Sequence, residues 1–540
     1  MKNTTLNNFI LSISSGLILC LGWTQLGLGW TSFIAFVPLL IIMERLIKSE
    51  KKNGGSQFFG YTYLTFIIWN ALSTWWIYYA TLPGAIAAIV LSSLFMAIVM
   101  RVSYSSFKAF GRRIGYIVFA TNWVAFEYLF MNSDISWPWL VLGNSFSNNI
   151  SLIQWYEYTG HFGGSVWIVV INLFIYEILR QLTEKKEKKK IRNYSIGLAC
   201  LIFIPMIFSG IRYSTYSDIG KNVDIVIVQP NIDPYNDKFG NLTTDEQLDI
   251  ILNTAGTLAD ENVNYFVAPE TAIPNGMWEN EIETESSIIY IRSFLSQYFP
   301  HAKFIIGAST RKLYLDGENK SITARKFKSS EHYYDIFNTS VQIDTSPDIY
   351  IYHKSKLVPG VEMMPYPQVF GFLQEILFDL GGMVGSHGTQ EKRSVFPNEE
   401  LGINVGVPIC YESAYGEFMG EFVQEGANLL FVITNDGWWD DTPGYKQHRS
   451  FSRIRAVETR KSIARSANTG ISCFINQRGD IIQELGWWKR GALRDTIKAN
   501  DIETFYTKYG DYIARMCIAI SLVVIAVQIV NMVLRRLKKS

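Results

Sequence analysis

Three residues with reactive side chains, Glu270, Lys354 and Cys410, each follow a short apolar run in the second half of the chain. A thiol with an ordinary pKa of about 8.5 is mostly protonated at neutral pH, so it needs a base or a nearby cation to react. Glu270 can accept the proton, and Lys354 can stabilise the thiolate and then the oxyanion formed when a carbonyl is attacked. This combination of residue types predicts nucleophilic acyl transfer.

The elements that must position these residues are strands alternating with helices. The predicted strands are Val223–Val228, Tyr265–Ala268, Lys303–Gly307, Ile336–Ile343, Ile349–His353, Ile403–Ile409, Leu429–Ile433, Ile463–Arg465 and Ile471–Ile475, and the predicted helices include Thr244–Glu261 and Glu283–Tyr298. This alternation predicts an α/β domain with buried sheets and site residues at strand ends. At Cys410 the strand turns into a helix-compatible segment, which aims the backbone N–H of Tyr411 at the site as a second oxyanion donor.

The rest of the chain has the composition of a membrane protein. Hydrophobic residues make up 48% and charged residues 18% of the 540 residues, and the apolar segments are concentrated before residue 212 and in the last 30 residues. Windows near the roughly 20 residues needed to cross a bilayer are Phe9–Leu21, Leu26–Met43, Phe58–Ala80, Ala85–Met100, Ile114–Met131, Ser165–Leu182, Ser195–Gly210 and Tyr512–Leu534. We interpret the first window as an uncleaved span, since no small residues precede a cleavage point near Cys20.

Lysine and arginine bias predicts the orientation of these spans. The connections after the second, fourth and sixth windows are rich in Lys and Arg, whereas residues 132–164 contain neither. The positive-inside rule then places both termini in the cytoplasm and the α/β block outside it. The net charge of +1 and the absence of a basic stripe with interleaved aromatic residues give no reason to expect a nucleic-acid partner.

The five cysteines form neither a Cys-x-x-Cys pair nor a Cys/His cluster in the sequence. We therefore predict no disulfide framework, no zinc site and no cofactor. A role for Cys473 stays open.

The motifs around the three reactive residues resemble those of the nitrilase, or carbon–nitrogen hydrolase, superfamily. The matching runs are Pro269-Glu270, Tyr352-His353-Lys354, Cys410-Tyr411-Glu412, residues 434–438, Gln447-His448 and residues 455–458. When the predicted membrane spans are considered together with these motifs, the chain resembles the apolipoprotein N-acyltransferase family, the membrane-anchored branch of that superfamily. The resemblance implies a polytopic α-helical membrane domain of about eight spans (1–215 and 511–535) and a nitrilase-like αββα sandwich ectodomain (221–507) in the bacterial cytoplasmic (inner) membrane, with the ectodomain on the periplasmic side.

The resemblance also implies a ping-pong reaction with two lipid partners. Cys410 would attack the sn-1 ester of a phospholipid acyl donor, and the thioester would then acylate the α-amine of the S-diacylglyceryl-cysteine of a diacylated apolipoprotein. Glu270, Lys354 and Cys410 would be the catalytic triad, without metal or cofactor. Four residues match secondary positions of the family: Glu362 (its second glutamate), Tyr411, Glu412 and Asn338.

The chain also departs from the family pattern. Phe239 stands where the family has a tryptophan, and no arginine occurs between Glu362 and Lys392, where the family has one. The apolar segment Tyr366–Met383 is typical either of a lid whose apolar face enters the bilayer or of an amphipathic core helix.

Two other functions stay open on the sequence. The first is a membrane-tethered nitrilase-type amidase that uses water as the acceptor. The second, from another class, is a membrane transporter or receptor with a non-catalytic ectodomain, against which the intact Glu270, Lys354 and Cys410 argue.

Overall fold

The computed structural model describes residues 2–50, 52–185, 187–370 and 386–537. Most of the predicted lid, from residue 371 to Met383, lies outside the described residues. The chain divides into two compact units, one formed by residues 1–78, 82–215 and 509–540 and the other by residues 79–81 and 216–508. Each unit is described by itself.

The first unit is helical. Its helices are α1 (Lys2–Leu21), α2 (Val37–Lys48), α3 (Gly54–Thr74), α4 (Leu82–Phe110), α5 (Arg112–Met131), α6 (Tyr156–Thr183), α7 (Lys188–Thr215) and, after the second unit, the C-terminal helix Tyr512–Leu537. Among the described residues, seven helical segments are long and apolar enough to cross a membrane: Thr4–Leu21, Gly29–Lys48, Leu82–Phe110, Arg112–Met131, Tyr156–Thr183, Lys188–Thr215 and Tyr512–Asn531. The chain is therefore a membrane protein, as predicted.

The third predicted span, Phe58–Ala80, corresponds to α3, which is 21 residues long but does not belong to these seven apolar segments. Several of its polar side chains are buried and donate to backbone carbonyls: Thr62 donates to Phe58 O at 3.0 Å and Asn70 to Phe66 O at 2.9 Å. Thr65 donates to Ser12 O on α1 at 2.8 Å. In an apolar environment such pairing removes the cost of burying these groups.

The predicted loop between the fifth and sixth spans is shorter than expected. We predicted it to extend to Gly164, but α6 begins at Tyr156. Gly160, inside α6, has φ 61° and ψ −176°, a conformation that is accessible mainly to glycine. Two helical pieces therefore meet at a kink at Gly160, within the glycine-rich run that indicated a loop in the sequence.

The second unit contains two β-sheets. Its strands are β1 (Lys221–Gln229), β2 (Tyr265–Val267), β3 (Ile273–Trp278), β4 (Lys303–Tyr314), β5 (Arg325–Lys326), β6 (Tyr333–Ile343), β7 (Ile349–His353), β8 (Val395–Asn398), β9 (Ile403–Gly406), β10 (Leu429–Thr434), β11 (Ile463–Ala467), β12 (Ser472–Ile475), β13 (Ile481–Leu485) and β14 (Gly491–Ala499). The first sheet has the order β14-β1-β2-β4-β6-β5, with β3 paired to β4 and β7 to β6, and the second has the order β13-β12-β11-β10-β9-β8.

Two helices of this unit, Thr244–Gly256 and Ser286–Tyr298, pack against the first sheet. The helices of the second unit are α8 (Thr244–Gly256), α9 (Ser286–Tyr298), α10 (Pro367–Phe370), α11 (Gly416–Gln424), α12 (Pro443–Thr459) and α13 (Phe505–Tyr509). The C-terminal helix of the first unit, Tyr512–Leu537, is therefore numbered α14. Val226 and Val228 of β1 pack in one apolar core with Ile251 of α8 and Ile291 of α9.

The two sheets pack against each other on their inner faces. Because side chains alternate along a strand, Ile225 and Ile227 of β1 face the second sheet. The rings of Tyr265 (β2) and Phe431 (β10) meet edge-to-face at 5.2 Å, and Ser466 Oγ of β11 donates to Val228 O at 2.8 Å. The predicted αββα sandwich is confirmed.

Candidate active site

Glu270, Lys354 and Asn338 meet at one end of the first sheet. Lys354 Nζ lies 2.9 Å from Glu270 Oε1, and Asn338 Nδ2 donates to the same oxygen at 2.8 Å. The positions follow from the strands: Lys354 directly follows β7, Asn338 lies on the neighbouring β6, and the Lys354 N–H donates to Asn338 O at 2.8 Å. All three side chains are buried.

Glu362 completes this cluster as a second carboxylate. Its Oε1 lies 2.8 Å from Lys354 Nζ and 3.1 Å from Asn338 Nδ2, while its Oε2 accepts the N–H of Val358 at 2.9 Å. Burial alone would lower the pKa of Lys354, but Glu270 and Glu362 raise it well above its ordinary value. Burial would raise the pKa of Glu362, but Lys354 lowers it. The ammonium is therefore charged and lies between two carboxylates.

Cys410 begins a 3-10 turn, Cys410–Ala414, at the end of the strand region of the second sheet. Its φ of 51° is unfavourable for a residue with a Cβ and costs about 1–3 kcal/mol, which the surroundings must offset. The Cys410 carbonyl accepts from Ser413 Oγ at 2.8 Å and lies 3.0 Å from His448 Nε2. These contacts fix a conformation that presents the side chain at a sharp turn.

The Cys410 thiol is buried and interacts electrostatically with Glu270 and Lys354. Burial raises the pKa of Cys410, Glu270 raises it further and Lys354 lowers it. The net direction is upward, so the resting group is a thiol. The sulfur can therefore attack only after a proton acceptor has removed this proton.

Glu412 is fully buried and binds backbone rather than facing outward. Its Oε1 accepts from the N–H of Ser355 at 2.6 Å and its Oε2 from the N–H of Ile409 at 2.7 Å. Burial raises the pKa of Glu412, although these hydrogen bonds oppose the shift. This carboxylate thus connects the loop after Lys354 with the turn that carries Cys410.

The other residues singled out in the sequence lie around this cluster. Tyr411 is buried, with its ring edge-on to Tyr415 at 5.3 Å. Phe239 is 63% exposed and stacks on Trp438 at 6.4 Å. Cys473 is buried on β12, where burial raises its pKa to about 11.

Lys238 was missed in the sequence, although it directly precedes the singled-out Phe239. Its side chain is buried, and Nζ donates to Glu270 O at 3.0 Å and to Thr271 Oγ1 at 3.2 Å. Burial lowers the pKa of Lys238 to about 8, against the opposing charges of Glu270 and Cys410. A second buried ammonium therefore binds the Glu270 backbone and interacts electrostatically with Cys410.

A buried polar network lies behind Cys410. Cys410, Asp436 and His448 place one possible ligand atom each within 4.8 Å of one another. However, Asp436 Oδ1 lies 2.9 Å from His448 Nδ1 and Oδ2 accepts from Arg465 at 2.7 Å. Burial would raise the pKa of Asp436, but Arg465 and His448 lower it to about 2. An internal guanidinium already occupies this carboxylate, so the three residues do not fit a metal ion.

Comparison with known proteins places the chain in a family. The family model described as "Carbon-nitrogen hydrolase" matches residues 225–506. The chain belongs to the carbon-nitrogen hydrolase family. A second model, "Apolipoprotein N-acyltransferase N-terminal domain", matches residues 15–174.

Curated relatives of this carbon-nitrogen hydrolase extend along nearly its whole length. The apolipoprotein N-acyltransferase of Chlorobaculum tepidum is 27% identical over 95% of both chains. The one of Geobacter metallireducens is 26% identical over 96% of this chain and 95% of its own. Among solved structures, an amidase from Nesterenkonia sp. is 16% identical, with a TM-score of 0.35 over 55% of this chain and 95% of the amidase.

The cluster in this carbon-nitrogen hydrolase can perform covalent acyl transfer. It contains a buried thiol, a carboxylate able to accept the proton of that thiol and an ammonium able to bind an oxyanion. The second carboxylate, Glu362, helps to keep the ammonium charged.

Proposed function

We propose that this chain is an apolipoprotein N-acyltransferase, which moves an acyl chain from a phospholipid through a Cys410 thioester to the α-amine of a diacylated apolipoprotein. The observation that carries the proposal is the buried contact between Glu270 and Lys354 beside the Cys410 thiol, in a chain with seven membrane-length apolar helices. The names of the relatives that match over 95% of the chain support the same function.

In the first half-reaction Glu270 accepts the thiol proton, and the sulfur attacks the ester carbonyl carbon of the phospholipid. Lys354 stabilises the oxyanion of the tetrahedral intermediate. The C–O bond to the glycerol then breaks, and Glu270 returns the proton to the leaving oxygen. The products are a lysophospholipid and an S-acyl Cys410.

In the second half-reaction the unprotonated α-amine attacks the thioester carbonyl. The C–N bond forms, the C–S bond breaks, and one amine proton passes through Glu270 to the Cys410 sulfur. A thioester is more reactive toward amines than an ester, so the covalent intermediate divides a difficult aminolysis into two easier steps.

The proposal includes a location for these reactions. A catalytic domain (221–507) is held between membrane segments 1–215 and 511–535, with both termini in the cytoplasm and the catalytic domain on the periplasmic side of a bacterial inner membrane. The Lys and Arg residues of the short connections support this orientation. Glu362 and Asn338 orient Lys354, and Tyr411 and Glu412 shape the turn of the nucleophile.

The test uses the detergent-purified protein and a phospholipid labelled in its sn-1 acyl chain. We expect a labelled, hydroxylamine-sensitive adduct on the wild type and none on Cys410→Ser. Addition of a diacylated lipopeptide should move the label to the peptide amine. A thioester-type adduct on the serine variant would exclude Cys410 as the nucleophile, and release of label only as free fatty acid would favour the amidase that uses water.

A further inference from the structure

His387 lies beside Glu362 and has no role in the mechanism above. Its backbone N–H donates to Glu362 O at 3.0 Å, and the residue is buried, with 9% of its surface exposed. Neither ring nitrogen has a hydrogen-bond partner within the described ranges 2–50, 52–185, 187–370 and 386–537. A buried polar group without a partner costs about 1–3 kcal/mol, so this imidazole is a group that a bound molecule would satisfy.

The backbone around His387 is fixed on both sides. Ser386 Oγ accepts the N–H of Met364 at 3.1 Å, and the Gly388 N–H donates to Ile336 O at 2.9 Å. A Cβ added at Gly388 would lie 2.3 Å from the Phe337 ring, so the backbone here packs directly against β6. The position of His387 next to Glu362 is therefore part of the fold.

Four charged groups act on this imidazole. Burial lowers the pKa of His387, Lys354 and Arg325 lower it further, and Glu362 and Glu270 raise it. The net shift is downward, so the ring is neutral at neutral pH and retains a lone pair that can accept a proton. The neighbouring Glu362 carboxylate then stabilises the imidazolium that forms.

We propose that His387 accepts the proton that the α-ammonium of the acceptor must lose before it can attack the thioester. This step rests on the function proposed above. An α-amine has a pKa of about 7.7–8.0, so roughly nine-tenths of it is protonated at pH 7. Glu362 attracts the ammonium, and an N–H bond then breaks as its proton moves to the imidazole. The free amine attacks the thioester carbonyl, and the imidazolium later releases its proton to water.

The experiment separates the two half-reactions in a single turnover. Wild type and His387→Gln are first acylated with labelled phospholipid, and the label is then transferred to a synthetic diacylated lipopeptide between pH 6 and 9. We expect equal acylation, transfer to the lipopeptide about tenfold slower in His387→Gln at pH 7, and a difference that disappears near pH 9, where the amine is mostly unprotonated. His301→Gln, whose side chain is 73% exposed, is the matched control and should behave like wild type.

Hydroxylamine, which is largely unprotonated at neutral pH, serves as a second acceptor that needs no such proton transfer. Both proteins should lose the acyl group to hydroxylamine at the same rate at pH 7. A variant that is equally slow with both acceptors, or slow at every pH, would overturn the proposal and leave His387 with a structural role. Failure of the wild type to form the acyl adduct would instead refute the proposed function.

If His387→Gln does not fold, the pH profile of the wild type decides. With His387 as acceptor, transfer to the lipopeptide should keep its rate through the pKa of the α-amine. It should fall only below the lowered pKa of His387, which lies under the ordinary value of about 6.5. If the transfer rate instead falls as the pH is lowered past the pKa of the α-amine, only amine that was deprotonated in solution reacts. That result would overturn the proposal.

Discussion

The Tyr352 hydroxyl donates to Glu412 Oε1 at 2.7 Å and thereby joins the two segments that carry the cation and the nucleophile. Tyr352 lies two residues before Lys354, and Glu412 lies two residues after Cys410. The same carboxylate binds the backbone N–H of Ser355. The relative position of ammonium and thiol therefore depends on one buried carboxylate that need not touch a substrate.

Glu412→Gln should weaken this connection. The carboxylate accepts hydrogen bonds with both oxygens, whereas the glutamine amide has one accepting oxygen and one NH₂ group, which only donates. At least one of the buried N–H groups of Ser355 and Ile409 therefore loses its partner. Since hydrogen bonds to charged groups contribute about 1.5–3 kcal/mol, we expect the apparent free energy of unfolding to fall by about that amount and acyl-enzyme formation to slow. Denaturant unfolding followed by tryptophan fluorescence measures the first effect. Glu421→Gln, whose side chain is 46% exposed, should change little, and equal effects of both substitutions would contradict the prediction.

Lys354→Met should affect both stability and activity. The substitution leaves Glu270 and Glu362 facing each other in a buried site, and breaking a buried ion pair costs about 3–5 kcal/mol. Loss of an oxyanion-stabilising group should also slow acyl-enzyme formation about 100- to 1,000-fold. Lys326→Met is the matched control, because Lys326 pairs with Glu331 at 2.7 Å on an exposed surface, where such pairs contribute about 0–1 kcal/mol. An unchanged unfolding free energy in Lys354→Met would argue against the buried ion pair.

The sequence correctly placed a reactive residue at a strand end where that residue type directly follows an apolar, strand-forming run. Glu270, Lys354 and Cys410 follow apolar β-branched runs, and burial of those runs in adjacent sheets brings the strand ends together. Nine of the fourteen described strands correspond to such predicted runs. Strands β13 and β14 were missed because they are largely half-buried or exposed and contain polar residues without a clear apolar period.

The sequence could not predict features that depend on distant contacts. Lys238 and His387 each occur in ordinary polar surroundings in the sequence, and only the fold buries them beside Glu270 and Glu362. The positive φ of Cys410 also depends on contacts from Ser413 and His448. A single sequence carries no local signal for any of these three properties.

Chelators should leave the reaction unchanged. Asp436 is bound by Arg465 at 2.7 Å, and this fixed positive charge opposes a cation between Cys410 and His448. Acyl-enzyme formation by protein incubated with EDTA and desalted should therefore equal that of the untreated protein. A loss of activity that one added divalent metal restores would contradict this prediction.

The rate of acyl-enzyme formation should fall as the pH rises through about 8. The pKa of Lys238 is lowered by burial to about 8, so its ammonium, which interacts electrostatically with Glu270 and Cys410, loses its charge in this range. Because that charge favours the thiolate, we expect Lys238→Met to be about tenfold slower at pH 7, equivalent to about 1.4 kcal/mol, and to lack the alkaline fall. Single-turnover acylation between pH 6 and 10 measures both effects.

As the pH rises above about 8, the rate of acyl-enzyme formation should fall, but the contribution of Lys238 to the stability of the wild-type protein should increase. The folded-state pKa of Lys238, about 8, lies below its ordinary value of 10.5, so between these values the unfolded chain binds more protons. The contribution of Lys238 to the free energy of unfolding should therefore rise with pH from about 8 to 10.5, and Lys238→Met should remove that rise while Lys326→Met retains it. If activity and stability instead fell together above pH 8 in the wild type, the alkaline loss of activity would reflect unfolding and not the charge of Lys238.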